Sequence, residues 1–159
     1  MNTFNDIKII LFREADLTYS VAERIIKSAR TTGIPVRAYS NDYDLGIILE
    51  EYRKKYNSKE VLILKEFHGR KFQKCPGSPN VICCNYYLLN TCFNCLYNCT
   101  YCFLNSYLNS FGITQFVNLD DLPSLMLDHA ARTGKTIRIG TGEFTDSLMF
   151  DEITGIASA

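Results

Sequence analysis

From Ile7 to Phe67 the chain alternates three short apolar runs with two amphipathic stretches, and few folds besides a parallel α/β sheet accept that alternation. Ile7–Phe12 (IKIILF), Pro35–Ser40 (PVRAYS) and Val61–Phe67 (VLILKEF) read as strands. Between the first two, Thr18–Thr32 carries Val21, Ala22, Ile25, Ile26 and Ala29 at three- and four-residue spacing, the period of a helix with one buried face. Gly33 closes that helix, with Pro35 beyond. Leu45–Tyr56 (LGIILEEYRKKY) reads as a second helix with its charges outward. The result is a βαβαβ pattern.

The texture then changes. His68–Asn80 (HGRKFQKCPGSPN) is rich in Pro, Gly and basic residues and reads as a loop or linker. Val81–Asn90 (VICCNYYLLN) is apolar and aromatic, the signature of a buried strand. A short helix is expected from about Phe103 to Ser110 and a strand at Thr114–Leu119. Asp120–Thr133 opens on an acidic cap with Pro123 in the first turn, runs as a helix and ends at Gly134. Thr136–Gly140 (TIRIG) is the next strand, and Leu148–Ile156 reads as the opening of a further helix. Composition thus suggests a small N-terminal α/β domain at 1–67, a basic linker at 68–80 and a second region at 81–159.

Lys and Arg together number 17, as do Asp and Glu, so the formal charge is zero and no global polycation points to nucleic acid. The N-terminus shows no signal peptide, and no apolar stretch is long enough to cross a bilayer. A cytoplasmic location is the expectation. Thiols there stay reduced, so closely spaced cysteines read as metal ligands before disulfides.

The seven cysteines all fall between Cys75 and Cys102. Cys95, Cys99 and Cys102 stand in a C-x3-C-x2-C array, CLYNCTYC. A 4Fe–4S cluster takes a thiolate on each iron, and three cysteines leave one iron open to another ligand, much as a catalytic metal keeps a free position. Spacings of three and two let one compact loop aim three thiolates inward. The bland alternative is a structural zinc site completed by Cys92 or Cys75; zinc modules favour paired C-x2-C units or histidines, and neither His68 nor His129 sits at ligand spacing. Cys75, Cys83, Cys84 and Cys92 read as small buried hydrophobes, with an auxiliary metal or redox role as the alternative.

The array, with the aromatic Tyr101 before its last cysteine, resembles the radical S-adenosylmethionine (SAM) signature. The wider stretch KCPGSPNVICCNYYLLNTCFNCLYNCTYCFLNSYLN, Lys74–Asn109, resembles the spore photoproduct lyase family. Downstream, Gly140-Thr141-Gly142-Glu143-Phe144-Thr145-Asp146 resembles that family's glycine–acid segment, which approaches the methionine end of SAM. The likeness runs from about Val61 to Ile156. It implies an α/β fold in which the N-terminal βαβ-type domain is followed by the start of a radical-SAM partial (β/α) TIM-like barrel. It implies a 4Fe–4S cluster held by Cys95, Cys99 and Cys102, and SAM bound by Gly142 and Glu143, with Tyr101 near the adenosine and Thr145 a further contact. Reductive cleavage of SAM to a 5′-deoxyadenosyl radical would be the chemistry, DNA bearing a thymine lesion the substrate class, and a flavodoxin or ferredoxin the electron donor. No membrane partner is implied.

Two features depart from the family pattern. The family returns a hydrogen to the product radical from a further cysteine, in the segment corresponding roughly to Gly140–Asp146; no cysteine follows Cys102 here. A partial barrel also needs several β/α units, and this chain supplies the first one or two, so it reads as the N-terminal portion of a longer protein. Rival readings are a different radical-SAM reaction on another substrate, a non-catalytic metal-bearing nucleic-acid-binding module, and an inactive fragment. Individual residues also keep second readings. Glu143 could cap the following helix, and Thr145 and Asp146 could be N-caps instead of cofactor contacts. The basic stretch Lys65–Lys74, with Lys65, Arg70, Lys71 and Lys74 among Phe67 and Phe72, could track a phosphate backbone or be a solvated linker. His129, on an apolar helix face, reads as a satisfied core histidine.

Overall fold

The computed structural model describes residues 3–77, 80, 82, 86–141 and 143–158. Strands β1 (Ile9–Phe12), β2 (Val36–Ala38) and β3 (Val61–Lys65) form the parallel unit expected from the alternation. Helix α1 (Ser20–Thr32) joins β1 to β2, and α2 (Asp42–Arg53) joins β2 to β3. Gly33 adopts φ 75°, the left-handed conformation that ends α1 at little steric cost. Helix α2 starts three residues before the apolar period suggests. Asn41 is its cap, with a side-chain oxygen that accepts the backbone N–H groups of Tyr43 and Asp44 at 3.0 Å each.

Side chains along β1 and β3 alternate between two helical layers, as a sheet covered on both faces requires. Ile9, Leu11, Val61 and Ile63 pack with Leu45, Ile48 and Tyr52 of α2. Ile10, Leu62 and Leu64 face the other way, onto Val21, Ala22, Ile25, Ile26 and Ala29 of α1. Each such aliphatic chain contributes roughly 1.5–3 kcal/mol by leaving water.

Beyond β3 come β4 (Phe72–Lys74), β5 (Tyr86–Leu89), β6 (Cys92–Phe93), the one-turn helix α3 (Leu104–Tyr107), β7 (Ile113–Phe116), α4 (Leu122–Thr133), β8 (Arg138–Thr141) and the short α5 (Asp151–Thr154). Strands from before residue 67 and after residue 80 share one sheet. β7 pairs in parallel with β3, Leu62 opposite Ile113, and β6 pairs antiparallel with β7, so one five-stranded sheet runs β2-β1-β3-β7-β6. The apolar edge of β3 needed a neighbour, and Ile113–Phe116 supplies it from beyond the supposed boundary. The linker itself contains β4, which pairs antiparallel with β5, Phe72 opposite Leu89.

β5 and β8 pair in parallel, Tyr86 with Arg138 through Leu89 with Thr141, and α4 precedes β8 in the crossover. With β4 they make a second, three-stranded sheet in the order β4-β5-β8. The two sheets meet at Thr91, whose carbonyl accepts the Phe116 N–H at 3.0 Å and the buried Gln115 amide at 2.9 Å. The chain therefore leaves β5 and enters β6 within two residues, which fixes where the cysteine loop starts. Among the described residues no helix is long and apolar enough to cross a membrane.

Candidate metal centre and cofactor cleft

The cysteine loop is positioned from both ends. Asn94, directly after β6, holds φ 69°, a left-handed conformation that Asn tolerates better than most side chains. Its side-chain oxygen accepts the Cys95 N–H at 2.8 Å, and its amide donates to the Gly112 carbonyl at 3.0 Å. Leu96, fully buried, pins the next residue into the core, and its N–H points at the Met149 sulfur, 3.3 Å away. At the far end Cys102 N–H donates to Cys99 O at 3.0 Å, and the Asn105 amide donates to the same carbonyl at 3.0 Å. Lys59, from the turn before β3, donates to the carbonyl of Tyr97 and to Asn105 Oδ1. The strands thus place a tight, irregular loop rather than a regular element over the sheet edge.

Cys95, Cys99 and Cys102 are each half-buried and line one cleft of about 380 Å³. That lies within the roughly 300–1,000 Å³ typical of small-molecule and cofactor clefts. The opposite wall is Thr141 at the end of β8 with Thr145, Asp146, Ser147 and Leu148. Tyr97, Tyr101 and Leu104 complete it. Among the described residues no three His, Cys, Asp or Glu side chains form a group ready for a single ion. The donor set around the cleft is nevertheless what a cluster needs: three thiols from one loop, none in a disulfide, facing a shared space larger than an ion.

Tyr101, 89% exposed, lies at the cleft mouth with its phenol beside Cys99, which pushes its pKa up. Burial raises the Tyr97 phenol, with Asp146 adding to the effect. Thr145 is buried, and its hydroxyl faces the Met149 sulfur at 3.6 Å. Asp146 accepts the Leu148 N–H at 2.9 Å, so it caps a turn while lining the cleft. Glu143 sits in an exposed turn and is not part of the cleft wall. Gly142, Cys83 and Cys84 lie outside the described residues.

Of the two further thiols a zinc site would call on, Cys92 is buried at the β6–β7 junction, where burial pushes its thiol up to about 12, and it does not line the cleft. Cys75 continues the β4–β5 hairpin, its N–H donating to Tyr86 O at 2.8 Å, and it does not line the cleft. Gly140 lies under the Tyr86 phenol, which an added Cβ would push aside. Sequence reasoning missed Asn94 and Lys59; the Phe-Asn-Cys step was the available signal, since Asn after a strand readily turns left-handed.

No family model and no curated protein matches the chain. Solved structures do. A spore photoproduct lyase complexed with dinucleoside spore photoproduct matches with a TM-score of 0.70 at 22% identity, over 95% of this chain and 44% of that one. A mutant of that lyase with bound AdoMet and dinucleoside spore photoproduct matches at TM-score 0.68 and 21% identity, over 95% and 44%. A further mutant matches at 0.72 and 20%, over 99% and 45%. The chain spans less than half the length of these proteins. Across nearly all of its own length, this chain has the fold of the matching part of spore photoproduct lyase.

Proposed function

We propose that Cys95, Cys99 and Cys102 hold a 4Fe–4S cluster and that the chain belongs to a radical-SAM enzyme of the spore photoproduct lyase type, acting on DNA that carries a thymine lesion. The observation that carries this reading is the placement of all three thiols in one cleft against the segment that follows β8, within the fold of that lyase. The bound cluster would supply one electron to SAM, releasing a 5′-deoxyadenosyl radical able to abstract a hydrogen atom from substrate.

The chain's own residues supply the rest. Tyr97, Leu104 and Leu148 exclude water from the thiols, and Tyr101 offers a flat face for the adenosine. Asp146, and Glu143 and Gly142 on the strand-end segment, are the groups proposed for the ammonium and methionine end of SAM, a carboxylate accepting from a cation. Thr145 orients that segment through its buried hydroxyl. A flavodoxin or ferredoxin is the proposed electron donor.

The experiment is anaerobic iron and sulfide reconstitution, followed by incubation with SAM, a chemical reductant and photoproduct-containing DNA. Formation of 5′-deoxyadenosine with reversal of the lesion supports the full reading. A zinc-loaded protein without iron–sulfur absorption would defeat it and support a metal-bearing binding module. One sequence fact favours a second reading within the same chemistry: the Gly140–Asp146 segment, where the family carries its hydrogen-returning cysteine, holds none. SAM cleavage without lesion reversal would select that reading, a different substrate at the same site.

A further inference from the structure

The basic stretch around β4 is sorted by the fold into buried and free parts. Lys65 pairs with Asp42 at 2.7 Å, and Lys71 is held by Asp121 and by the Asn118 carbonyl at 2.8 Å. Phe67 stacks on Phe116 with ring centroids 4.5 Å apart. Arg70 and Lys74 remain exposed, and Phe72, packed on the core from below, lies between them. Arg70 stands just before β4 and Lys74 ends it, and the three line one cleft, cation, aromatic, cation.

Across the hairpin Tyr87 stacks on Phe72 at 5.1 Å and 17°, and His129 of α4 meets both rings edge-on, at 4.6 Å from Tyr87 and 5.4 Å from Phe72. With Gln73 these residues line a cleft of about 360 Å³. No carboxylate is among its described lining, and neither the Arg70 guanidinium nor the Lys74 ammonium has an acidic partner among the described residues. His129 Nε2 is shut from solvent without a hydrogen-bond partner, so the expected satisfied core histidine is instead an unsatisfied one at the cleft wall.

We propose that this cleft seats the phosphodiester backbone of a nucleic-acid strand, with Arg70 and Lys74 on neighbouring phosphates and a base against the Phe72–Tyr87 pair. Four residues of extended chain span up to roughly 13 Å, a reach suited to successive phosphates more than to one free anion. An acidic peptide would satisfy the cations but not the flat rings between them, whereas single strands are bound by this combination of charge and aromatic stacking. The proposal rests on the preceding reading only in taking DNA as the strand. It places that contact outside the cysteine cleft.

The test is fluorescence anisotropy of a labelled, lesion-free oligothymidylate with the full chain, over a salt series. Arg70→Ala/Lys74→Ala is expected to bind about tenfold more weakly or worse, with the slope of log K against log salt reduced by about 1.4 for two phosphates on a single strand. Tyr87→Leu is expected to weaken binding about fivefold. Arg70→Lys/Lys74→Arg is expected to bind like wild type, and Lys27→Ala/Lys54→Ala, the same charge change on α1 and just past the end of α2, to leave the slope unchanged. Arg70→Gln/Lys74→Gln gives the same reading if the alanine pair melts early. Wild-type failure to bind at about 50 mM salt, an unchanged alanine pair, or equal displacement by polyglutamate each overturns the proposal. SAM cleavage without DNA involves none of these residues, so loss of strand binding and loss of radical chemistry are separate results.

Discussion

The side chain of Asn94 bridges Cys95 and Gly112: its oxygen takes the Cys95 N–H at 2.8 Å while its amide donates to the Gly112 carbonyl at 3.0 Å. One half-turn of left-handed backbone therefore ties the first cysteine of the loop to the residue that leads into β7. Asn94→Ala leaves both partners unsatisfied in a buried setting and forces a less tolerant residue into positive φ. The expected cost is about 2–4 kcal/mol of stability. Asn94→Gly keeps the backbone and loses only the side-chain ties. Thermal melting should rank wild type above glycine and glycine above alanine, and iron bound per chain after reconstitution should follow the same order.

Cys92 and Cys95 are three residues apart and chemically opposite. Cys92 is buried among apolar groups, its thiol pushed up to about 12, while Cys95 opens on the cleft. Cys92→Ala should lower stability by about 1 kcal/mol, a small-cavity cost, and leave iron and sulfide content unchanged. Cys95→Ala, Cys99→Ala or Cys102→Ala should each abolish most cluster loading while shifting the melting of the metal-free protein little. Iron and sulfide assays on parallel preparations check the contrast; full loading in any of these three variants would remove the cysteine array from the metal site.

At Gly140 a side chain would displace the Tyr86 ring from its place on the β5–β8 pair. Gly140→Ala should destabilise the β5–β8 pair by about 1–3 kcal/mol, the usual cost of overpacking. Tyr86→Phe leaves the ring in the same place, so it should not rescue. Tyr86→Ala in the same chain should recover part of the loss, and urea melts of the three variants measure this coupling.

How far the sequence could be read follows from what local pattern encodes. β1, β2, β3, α1 and α4 were visible because periodicity and glycine caps are local. The cysteine array was visible for the same reason, as its spacing alone defines a loop. β4 was not, because Phe72–Lys74 is three residues in a Gly- and Lys-rich stretch and becomes a strand only through β5. Ile113–Phe116 could be read as a strand but not as the neighbour of β3, since pairing between distant segments leaves no local mark. At the site, Glu143 and Thr145 were both singled out by the resemblance of Gly140–Asp146 to a glycine–acid segment; Glu143 lies in an exposed turn and Thr145 is buried, a difference the motif does not state. Burial of that kind depends on the Met149 and Leu96 side chains behind it, which a motif does not carry.

Acid should loosen the far side of the sheet through Glu66. Its carboxylate accepts from the Tyr19 hydroxyl and from Arg13 Nη2 at 2.5 Å, and these partners hold its pKa below the ordinary glutamate value. Arg13 also grips the buried Asp16, so Glu66 anchors a group shared by the segments after β1 and β3. A carboxylate depressed in the folded state adds stability that is complete above its unfolded pKa, about 4.3, and disappears as pH falls through the folded value. Glu66→Gln should therefore cost about 1.5–3 kcal/mol at pH 7, the range for hydrogen bonds to charged groups. It should also make stability fall less steeply than wild type as pH drops below about 4.3. Urea melts of both proteins between neutral pH and pH 3 check this: parallel curves would remove the acid linkage through Glu66, and coincident curves would show that the Arg13–Glu66–Tyr19 contact contributes nothing to the fold.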